Sequence, residues 1–124
     1  KNFENIINGK NPIVFGDGSQ ILDYVYVEDV INGLLKLALT EKNGLVVNLG
    51  SGEKKTIKEL TSLMLKVSKS NLNITYRPPD KTFNTIRFAD ISLAKKEINW
   101  RPQINLSKGL KILYTWLKEN RNEK

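Results

Sequence analysis

Short apolar stretches recur along the chain and predict β-strands. The run LVVNLG at 45–50 has the composition of a buried strand, and DYVYV at 23–27 combines β-branched and aromatic residues, which favour strands. Shorter strands are predicted in PIVF at 12–15 and in NITYRPP at 73–79, where the double proline ends the strand. A further short strand in TIRFADIS comes just ahead of Asp90.

Apolar residues at helical spacing alternate with these strands. A first helix in FENIING ends near Gly9, and a second begins at Asp29 and stops at the Asn-Gly pair at 43–44. Thr56 and Glu59 stand three residues apart, which is the spacing of a capping box and opens a third helix.

Two further helices are predicted towards the C-terminus. Asp90 is the expected N-cap of ISLAKKEI, and Ser107 is the expected N-cap of a last amphipathic helix. Residues 119–124 are expected to be frayed. Strands and helices that alternate in this way predict a small mixed α/β fold in one domain, residues 1–124.

The composition excludes several kinds of site. The 124 residues contain no Cys and no His, which removes disulfides, thiolate metal sites and the commonest general base. A self-contained hydrolase triad or a zinc site is therefore not expected. No apolar run is long enough to span a membrane, and the opening KNFENIINGK does not have the pattern of a signal peptide.

The charge of the chain suggests a polyanionic partner as one hypothesis. Twenty Lys and Arg against 13 Asp and Glu give a net charge of +7, which is compatible with a stand-alone basic module that binds nucleic acid. The lysines are scattered, however, whereas a nucleic-acid site concentrates its charge on one face. We keep this hypothesis as an alternative and do not expect nucleic acid to be the partner.

Two motifs of cofactor-dependent enzymes are present only in part. Gly50 and Gly52 follow a predicted strand and precede a helix, but the third glycine of a dinucleotide fingerprint is replaced by Lys55. We interpret this turn as a structural one that needs positive φ. Tyr114 and Lys118 have the YxxxK spacing, yet no cofactor motif lies upstream, so we expect packing for the tyrosine and solvation for the lysine.

Three segments in order carry a family resemblance. GDGSQILDYVYVEDV, VVNLGSGEKKTIKEL and ADISLAKKEINWRPQINLSKGLKILYTWLKEN cover nearly the whole chain. Together they resemble the C-terminal part of the extended short-chain dehydrogenase/reductase family, the NAD-dependent nucleotide-sugar epimerases and dehydratases, of which the UDP-glucose 4-epimerases are the best-known members.

The resemblance implies that two parts of the enzyme have different tasks. In that family an N-terminal Rossmann half holds NAD and the catalytic Tyr and Lys, and a smaller C-terminal lobe closes over the nucleotide sugar. The chain is similar to that lobe alone, so it is expected to lack the NAD-binding half and to be inactive by itself. The parent is expected to be a cytoplasmic isomerase, with a homodimer possible, that moves a hydride from the sugar to NAD and back.

The resemblance also leaves a different class of function open. A relative that has lost catalysis would keep only a scaffold or ligand-sensing role. Substitutions at the positions where the family has phosphate-binding residues favour this alternative. The Arg that grips the diphosphate is Leu22 here, a second Arg position falls on Asp80, and its following Gly-Asp pair becomes Thr82-Phe83.

Six residues are the candidates for substrate binding. The resemblance assigns backbone contacts with the base to Ile13 and Phe15, and a hydrogen bond with the substrate or a turn-stabilising role to Gln20. The cations left near the phosphate are Arg87, the preferred ligand, and then Arg77 and Lys81.

Other residues at family positions are given structural roles. Asp29 and Asp90 are interpreted as acids at helix starts, and Asp23 as a hydrogen-bonding residue at a turn or strand entry. The large aromatic residues are expected in the core rather than in a site: Tyr24, Tyr26, Trp100 and Trp116.

Overall fold

A computed structural model describes residues 1–81 and 84–120 of the chain. Its helices are α1 (Asn2–Ile7), α2 (Val27–Ala38), α3 (Ile57–Ser68), α4 (Ser92–Ile98) and α5 (Leu106–Glu119). Its strands are β1 (Ile13–Phe15), β2 (Ile21–Leu22), β3 (Lys55–Thr56) and β4 (Thr75–Arg77). The small mixed α/β fold expected from the sequence is confirmed.

The strands form two separate pairs. β1 lies parallel to β4, and β2 lies antiparallel to β3. On the side of β2 away from β3, Ile21 forms a single parallel bridge with Ile86. The strands predicted at 12–15 and 73–79 are confirmed, and the stretch before Asp90 contributes this one bridge.

The core consists of two groups of buried side chains. The first, here called the helical cluster, joins α1, α3 and α5 through Phe3, Ile6, Met64 and Leu110. The second, here called the tryptophan cluster, is formed by α4 and the residues next to it: Ile91, Ala94, Ile98 and Trp100. Trp100 is 2% exposed, as expected for a core residue, and Tyr24 and Tyr26 are half-buried.

The predicted capping box is confirmed at the start of α3. The Thr56 hydroxyl accepts a hydrogen bond from the Glu59 N–H at 3.1 Å, and the Glu59 carboxylate accepts one from the Thr56 N–H at 2.7 Å. These bonds lower the pKa of Glu59. Gly9 follows the last residues of α1 with a φ of +68°, as its predicted role at the helix end requires.

The prediction of a strand at 23–27 is wrong. β2 ends at Leu22, residues 23–26 have no regular structure, and α2 begins at Val27, two residues before the predicted start. The ladder stops because Asp23 directs its carboxylate to backbone groups of two other segments. The same helix ends at Ala38, ahead of the predicted stop at 43–44.

The predicted strand at 45–50 is not paired with any strand in the described part of the chain. Its side chains still alternate, because Leu45, Val47 and Leu49 pack on the tryptophan cluster while Val46 is 83% exposed. The composition correctly predicted that apolar side chains of this segment pack on the core. No strand among residues 1–81 and 84–120 pairs with it, however, so it is not a β-strand there.

Two predicted helix caps are displaced. Ile91, not Asp90, is the N-cap of α4, and the Asp90 carboxylate instead accepts hydrogen bonds from the N–H (2.9 Å) and the hydroxyl of Ser92. The N-cap of α5 is Asn105, whose side chain accepts from the Lys108 N–H at 2.9 Å, so Ser107 lies inside the first turn. A helix that begins at Leu106 can pack this leucine on the helical cluster.

One prediction about α5 is also corrected. Trp116 is 56% exposed, because the buried face of the helix carries Leu110, Tyr114 and Leu117. The helix continues to Glu119, and the Asn120 side chain donates to the Trp116 carbonyl at 2.9 Å. Fraying of 119–124 stays a prediction, and residues 121–124, like the substitution at Thr82-Phe83, lie outside the described residues. No helix in the described ranges is long and apolar enough to cross a bilayer.

Candidate functional site

The turn between β1 and β2, residues 16–20, is fixed against the start of α3. The carbonyls of Gly18 and Gln20 accept hydrogen bonds from the N–H groups of Lys58 and Ile57, each at 3.0 Å. Gly18 has a φ of +76°, and a Cβ there would lie 2.9 Å from Val14 Cγ1. The turn therefore needs glycine at this position and holds its neighbours in place relative to α3.

The edge of β1 that points away from β4 carries the two backbone candidates. The N–H of Ile13 donates to Asn2 Oδ1 at 3.1 Å, and the carbonyl of Ile13 accepts from Asn2 Nδ2 at 3.0 Å. A base could reach these two groups only by displacing Asn2. No pattern in the sequence predicts this cross-link, because the packing of α1 brings Asn2 and Ile13 together.

Gln20 stabilises the turn. Its side-chain amide donates to the Phe15 carbonyl at 3.0 Å, and the residue is only 3% exposed. Its Oε1 is also buried and has no hydrogen-bond partner in the described part of the chain. Because the oxygen is covered, this geometry supports the turn-stabilising alternative rather than a direct contact with a ligand.

Arg77 and Arg87, two of the three candidate cations, lie on different strand pairs. Arg77 ends β4 opposite Phe15, whereas Arg87 donates its N–H to the Ile21 carbonyl at 2.9 Å beside β2. Lys81 is exposed in the loop between them. None of the three forms a salt bridge with a residue in the described ranges.

Leu22, which occupies the position of the expected arginine, lies between two basic residues. Lys55 is its antiparallel partner in β3. On the other side, the bridge of Ile21 with Ile86 sets Arg87 opposite Leu22. Residues opposite each other in neighbouring strands present their side chains on the same face. Neighbouring strands are about 4.8 Å apart, so the backbones of Lys55 and Arg87 are roughly 10 Å apart with Leu22 between them.

Asp23 joins three segments of the chain. Its carboxylate accepts hydrogen bonds from the N–H groups of Ser51 (2.7 Å), Gly52 (3.0 Å) and Ala89 (3.1 Å). Burial raises the pKa of Asp23, but the hydrogen bonds from these three residues outweigh burial and lower the pKa below its ordinary value. The predicted hydrogen-bonding role is confirmed.

This arrangement decides whether the Gly50–Gly52 turn could hold a dinucleotide. A pyrophosphate would need the backbone N–H groups at the turn, and those of Ser51 and Gly52 are already bound to the Asp23 carboxylate, itself an anion. A Cβ at Gly50 would lie 2.6 Å from Ala89 Cβ and 2.8 Å from Asp23 Oδ2, and Gly52 has a φ of +71°. Gly50 lets Asp23 and Ala89 approach, and Gly52 adopts the positive φ of the turn. With their N–H groups bound to Asp23, these residues do not fit NAD, in agreement with the structural interpretation of the turn.

The YxxxK pair is likewise structural. The Tyr114 ring packs on the Phe3 ring, with centroids 5.3 Å apart, and the Lys118 ammonium lies 5.8 Å from the Tyr114 ring centre. Tyr114 is thus part of the core and Lys118 is exposed, as expected.

Asp29 does more than begin a helix. It lies in the first turn of α2, as predicted, but it is 2% exposed and its carboxylate accepts from the N–H groups of Gln103 (3.0 Å) and Ile104 (2.9 Å). Its carbonyl accepts from Trp100 Nε1 at 2.8 Å. The partners are 71 to 75 positions away in the sequence, which is why sequence reasoning assigned Asp29 only a local role.

Two cavities of the described part of the chain lie away from the six candidates. A groove of about 860 Å³ runs between α2 and the residues around Trp100, and an apolar cavity of about 430 Å³ lies between residues 24–27 and α5. Neither is lined by any of the six.

The described residues contain no group of three or more acidic side chains that could hold a metal ion.

Similarity to known proteins identifies the fold. Residues 1–113 match the family of GDP-mannose 4,6 dehydratase. The chain is 32% identical to the UDP-glucuronate 4-epimerase of Thermodesulfobacterium geofontis over 86% of its own length and 33% of the relative. It is 35% identical to UDP-glucuronic acid decarboxylase 1 of Arabidopsis thaliana over 82% of its own length and 23% of the relative. The chain thus spans a third or less of these relatives.

Solved structures agree. The UDP-glucose 4-epimerase of Thermotoga maritima with UDP-glucose superposes with a TM-score of 0.90 at 29% identity, over 97% of this chain and 38% of that one. The UDP-glucuronic acid 4-epimerase of Bacillus cereus, in complex with UDP-glucuronic acid and NAD, gives a TM-score of 0.86 at 29% identity, over 95% and 38%. The chain therefore belongs to the GDP-mannose 4,6 dehydratase family, the nucleotide-sugar epimerases and dehydratases of the extended short-chain dehydrogenase/reductase class that its motifs resemble.

Proposed function

We propose that the chain is the nucleotide-sugar-binding lobe of an NAD-dependent epimerase of this family, with a UDP-sugar as substrate. The 4-epimerases among its relatives support an isomerase reaction. Since the Gly50–Gly52 turn does not fit NAD, we place the cofactor on a part of the parent outside these 124 residues. The lobe alone is then inactive, and its own task is to bind and orient the nucleotide diphosphate.

The row formed by Lys55, Leu22 and Arg87 is the observation that carries the proposal. A bound diphosphate needs cations or N–H donors to offset its buried charge. Leu22 cannot supply a charge, but Lys55 and Arg87 flank it on the same face, and neither is engaged in a salt bridge within the described ranges. Both side chains are long enough to converge over the shorter leucine. The substitution at Leu22 therefore moves the anchor to the neighbouring strands rather than abolishing it.

Three further candidates lie at or after the ends of β1 and β4. Phe15 and Arg77 are paired at the ends of β1 and β4, where the base and the far phosphate would approach, and Lys81 follows in the loop. We assign the contact with the base to the N–H of Phe15, since the Phe15 carbonyl accepts the Gln20 amide. Arg77 and Lys81 are assigned weaker, solvent-exposed contributions to phosphate binding.

Substitutions in the intact parent test the anchor. Arg87→Ala should weaken UDP binding, measured by titration calorimetry, about 10- to 100-fold, because a charge-assisted hydrogen bond contributes about 1.5–3 kcal/mol. Uridine, which has no phosphate, should bind Arg87→Ala and the original protein equally. Lys108→Ala, which removes an exposed lysine from α5, is the matched control and should leave UDP affinity unchanged.

The reverse substitution sharpens the test. Leu22→Arg restores the expected anchor and should strengthen UDP binding or rescue Arg87→Ala. If Arg87→Ala and Lys55→Ala both bind UDP as the original protein does, the row is not the anchor. If the intact protein binds UDP-sugars but shows no turnover, the scaffold or sensing alternative, which Leu22 favours, replaces the enzyme. Binding to RNA or DNA with a steep salt dependence would favour the nucleic-acid alternative.

A further inference from the structure

The segment that carries Arg87, residues 86–88, is held less firmly than the strand on the other side of β2. In the described part of the chain, its backbone is joined to β2 by the bridge of Ile21 with Ile86 and by the hydrogen bond from the Arg87 N–H to the Ile21 carbonyl. β3 is paired with β2 over two residues and leads directly into the capping box of α3. Arg87 can present its guanidinium to a phosphate only while the 86–88 segment stays beside β2.

Phe88 lies on the opposite face of this segment from Arg87. The N–H groups of Arg87 and Ala89 both donate towards the β2 side, at 2.9 and 3.1 Å. Their acceptors are the Ile21 carbonyl and the Asp23 carboxylate. Backbone groups two residues apart that point the same way belong to an extended segment, in which successive side chains alternate between the faces.

Lys54, one residue before Lys55, contacts Phe88 on this opposite face. Glu53 and Lys55 line one cavity of about 140 Å³, and Lys54 between them does not line it, as expected for alternating side chains. The Lys54 ammonium lies 4.3 Å from the centre of the Phe88 ring, well inside the roughly 6 Å range of a cation–π contact. The contact therefore joins the two segments that flank β2.

We propose that Lys54 and Phe88 are positioning residues for the diphosphate anchor. Their contact ties the 86–88 segment to β3 and holds Arg87 where it faces the phosphates. The pair does not touch the nucleotide itself, since it lies on the face opposite to Lys55 and Arg87. Holding Arg87 in place before the nucleotide binds lowers the cost of ordering it on binding. The proposal rests on the proposed function, which supplies the anchor that the pair positions.

Titration calorimetry with UDP on the intact parent tests this role. Phe88→Leu keeps a large apolar side chain but removes the ring, and it should weaken UDP binding about 2- to 5-fold, the size of an exposed cation–π contact. Lys54→Met removes the charge, keeps an unbranched side chain, and should have a similar effect. Phe88→Tyr and Lys54→Arg keep the contact and should bind UDP as the original protein does. Lys108→Met, which removes an exposed lysine from α5, is the matched control and should have no effect.

Combined variants separate positioning from a general loss of charge or stability. In the Arg87→Ala protein, Phe88→Leu should weaken UDP binding no further, because the pair acts through Arg87. Lys54→Met together with Phe88→Leu should lose no more affinity than either alone. Additive losses in either combination would overturn the proposal. Uridine should bind all these variants equally, and a loss of uridine affinity would assign the pair a purely structural role and overturn the proposal as well.

The single variants also distinguish this proposal from the proposed function. If Arg87→Ala binds UDP as the original protein does, the anchor at Arg87 fails and the positioning role fails with it. If Arg87→Ala weakens UDP binding while Phe88→Leu and Lys54→Met do not, the anchor stands and the positioning role alone is overturned.

Discussion

The helical cluster and the tryptophan cluster show two ways of holding a small lobe together. Around the helical cluster, side chains of α1, α3 and α5 pack on one another, and beyond the first turn of each helix the backbone N–H groups donate to carbonyls of the same helix. Around the tryptophan cluster, irregular segments meet, and five of their backbone N–H groups donate to carboxylates. Three donate to Asp23 and two to Asp29. The first region follows from local pattern, whereas the second depends on long-range acceptors.

The largest expected loss of stability comes from removing a buried apolar side chain, and removing an exposed one should cost much less. Phe3→Ala in the helical cluster should lower the free energy of unfolding by about 3–5 kcal/mol, since Phe3 is 1% exposed and its loss leaves a cavity. Leu34→Ala in α2, where the leucine is 54% exposed, should change it by less than about 0.5 kcal/mol in the 124-residue chain. Urea denaturation followed by circular dichroism measures both. A comparable loss from Leu34→Ala would mean that Leu34 is buried in this chain, which would contradict the comparison.

A smaller effect tests the carboxylates of the second region. The pKa of Asp23 is lowered in the folded chain, so its contribution to stability is present above the ordinary pKa, about 3.9, and is lost as the pH falls through the lower, folded pKa. Asp23→Asn should cost roughly 1.5–3 kcal/mol near pH 7, because an amide nitrogen cannot accept and at least one of three N–H donors loses its partner.

The measurement is urea unfolding at neutral pH and at about pH 3, where the carboxylate begins to be protonated. The difference between Asp23→Asn and the original chain should shrink at the lower pH. A difference that stays constant with pH would show that the carboxylate charge is not what holds the three segments.

The same contrast explains what could be predicted from the sequence. The capping box of Thr56 and Glu59 and the apolar faces of α1 and α3 are local features, and they were predicted correctly. The strands at 23–27 and 45–50 were misassigned because composition reports a strand-like environment but not the partner. At 23–27 the strand pairing of β2 ends before Asp23. At 45–50 no neighbouring strand lies among the described residues.

The candidate site was predictable to a similar degree. Motif resemblance identified the family, which the comparisons confirm, and drew attention to Leu22 and Arg87. The flanking of Leu22 by Lys55 depends on strand register, and a slip of one residue would turn one side chain of the row to the other face. The occupation of the Ile13 backbone by Asn2 depends on how α1 packs. Neither can be read from a single sequence.

The smallest expected effect returns to the first region, at the start of α5. Asn105→Ala should lower the free energy of unfolding by about 1 kcal/mol, because its side chain accepts the Lys108 N–H and no other described side chain caps this end. Ser107→Ala, at the N-cap predicted from sequence, should leave stability unchanged or raise it slightly, since alanine favours the helix interior. Thermal unfolding of the two variants side by side decides between the caps. A larger loss of stability for Ser107→Ala would mean that Ser107 is the N-cap, as predicted from the sequence. Leu106 would then lie outside the helix, and its packing on the helical cluster would not fix the first turn of α5.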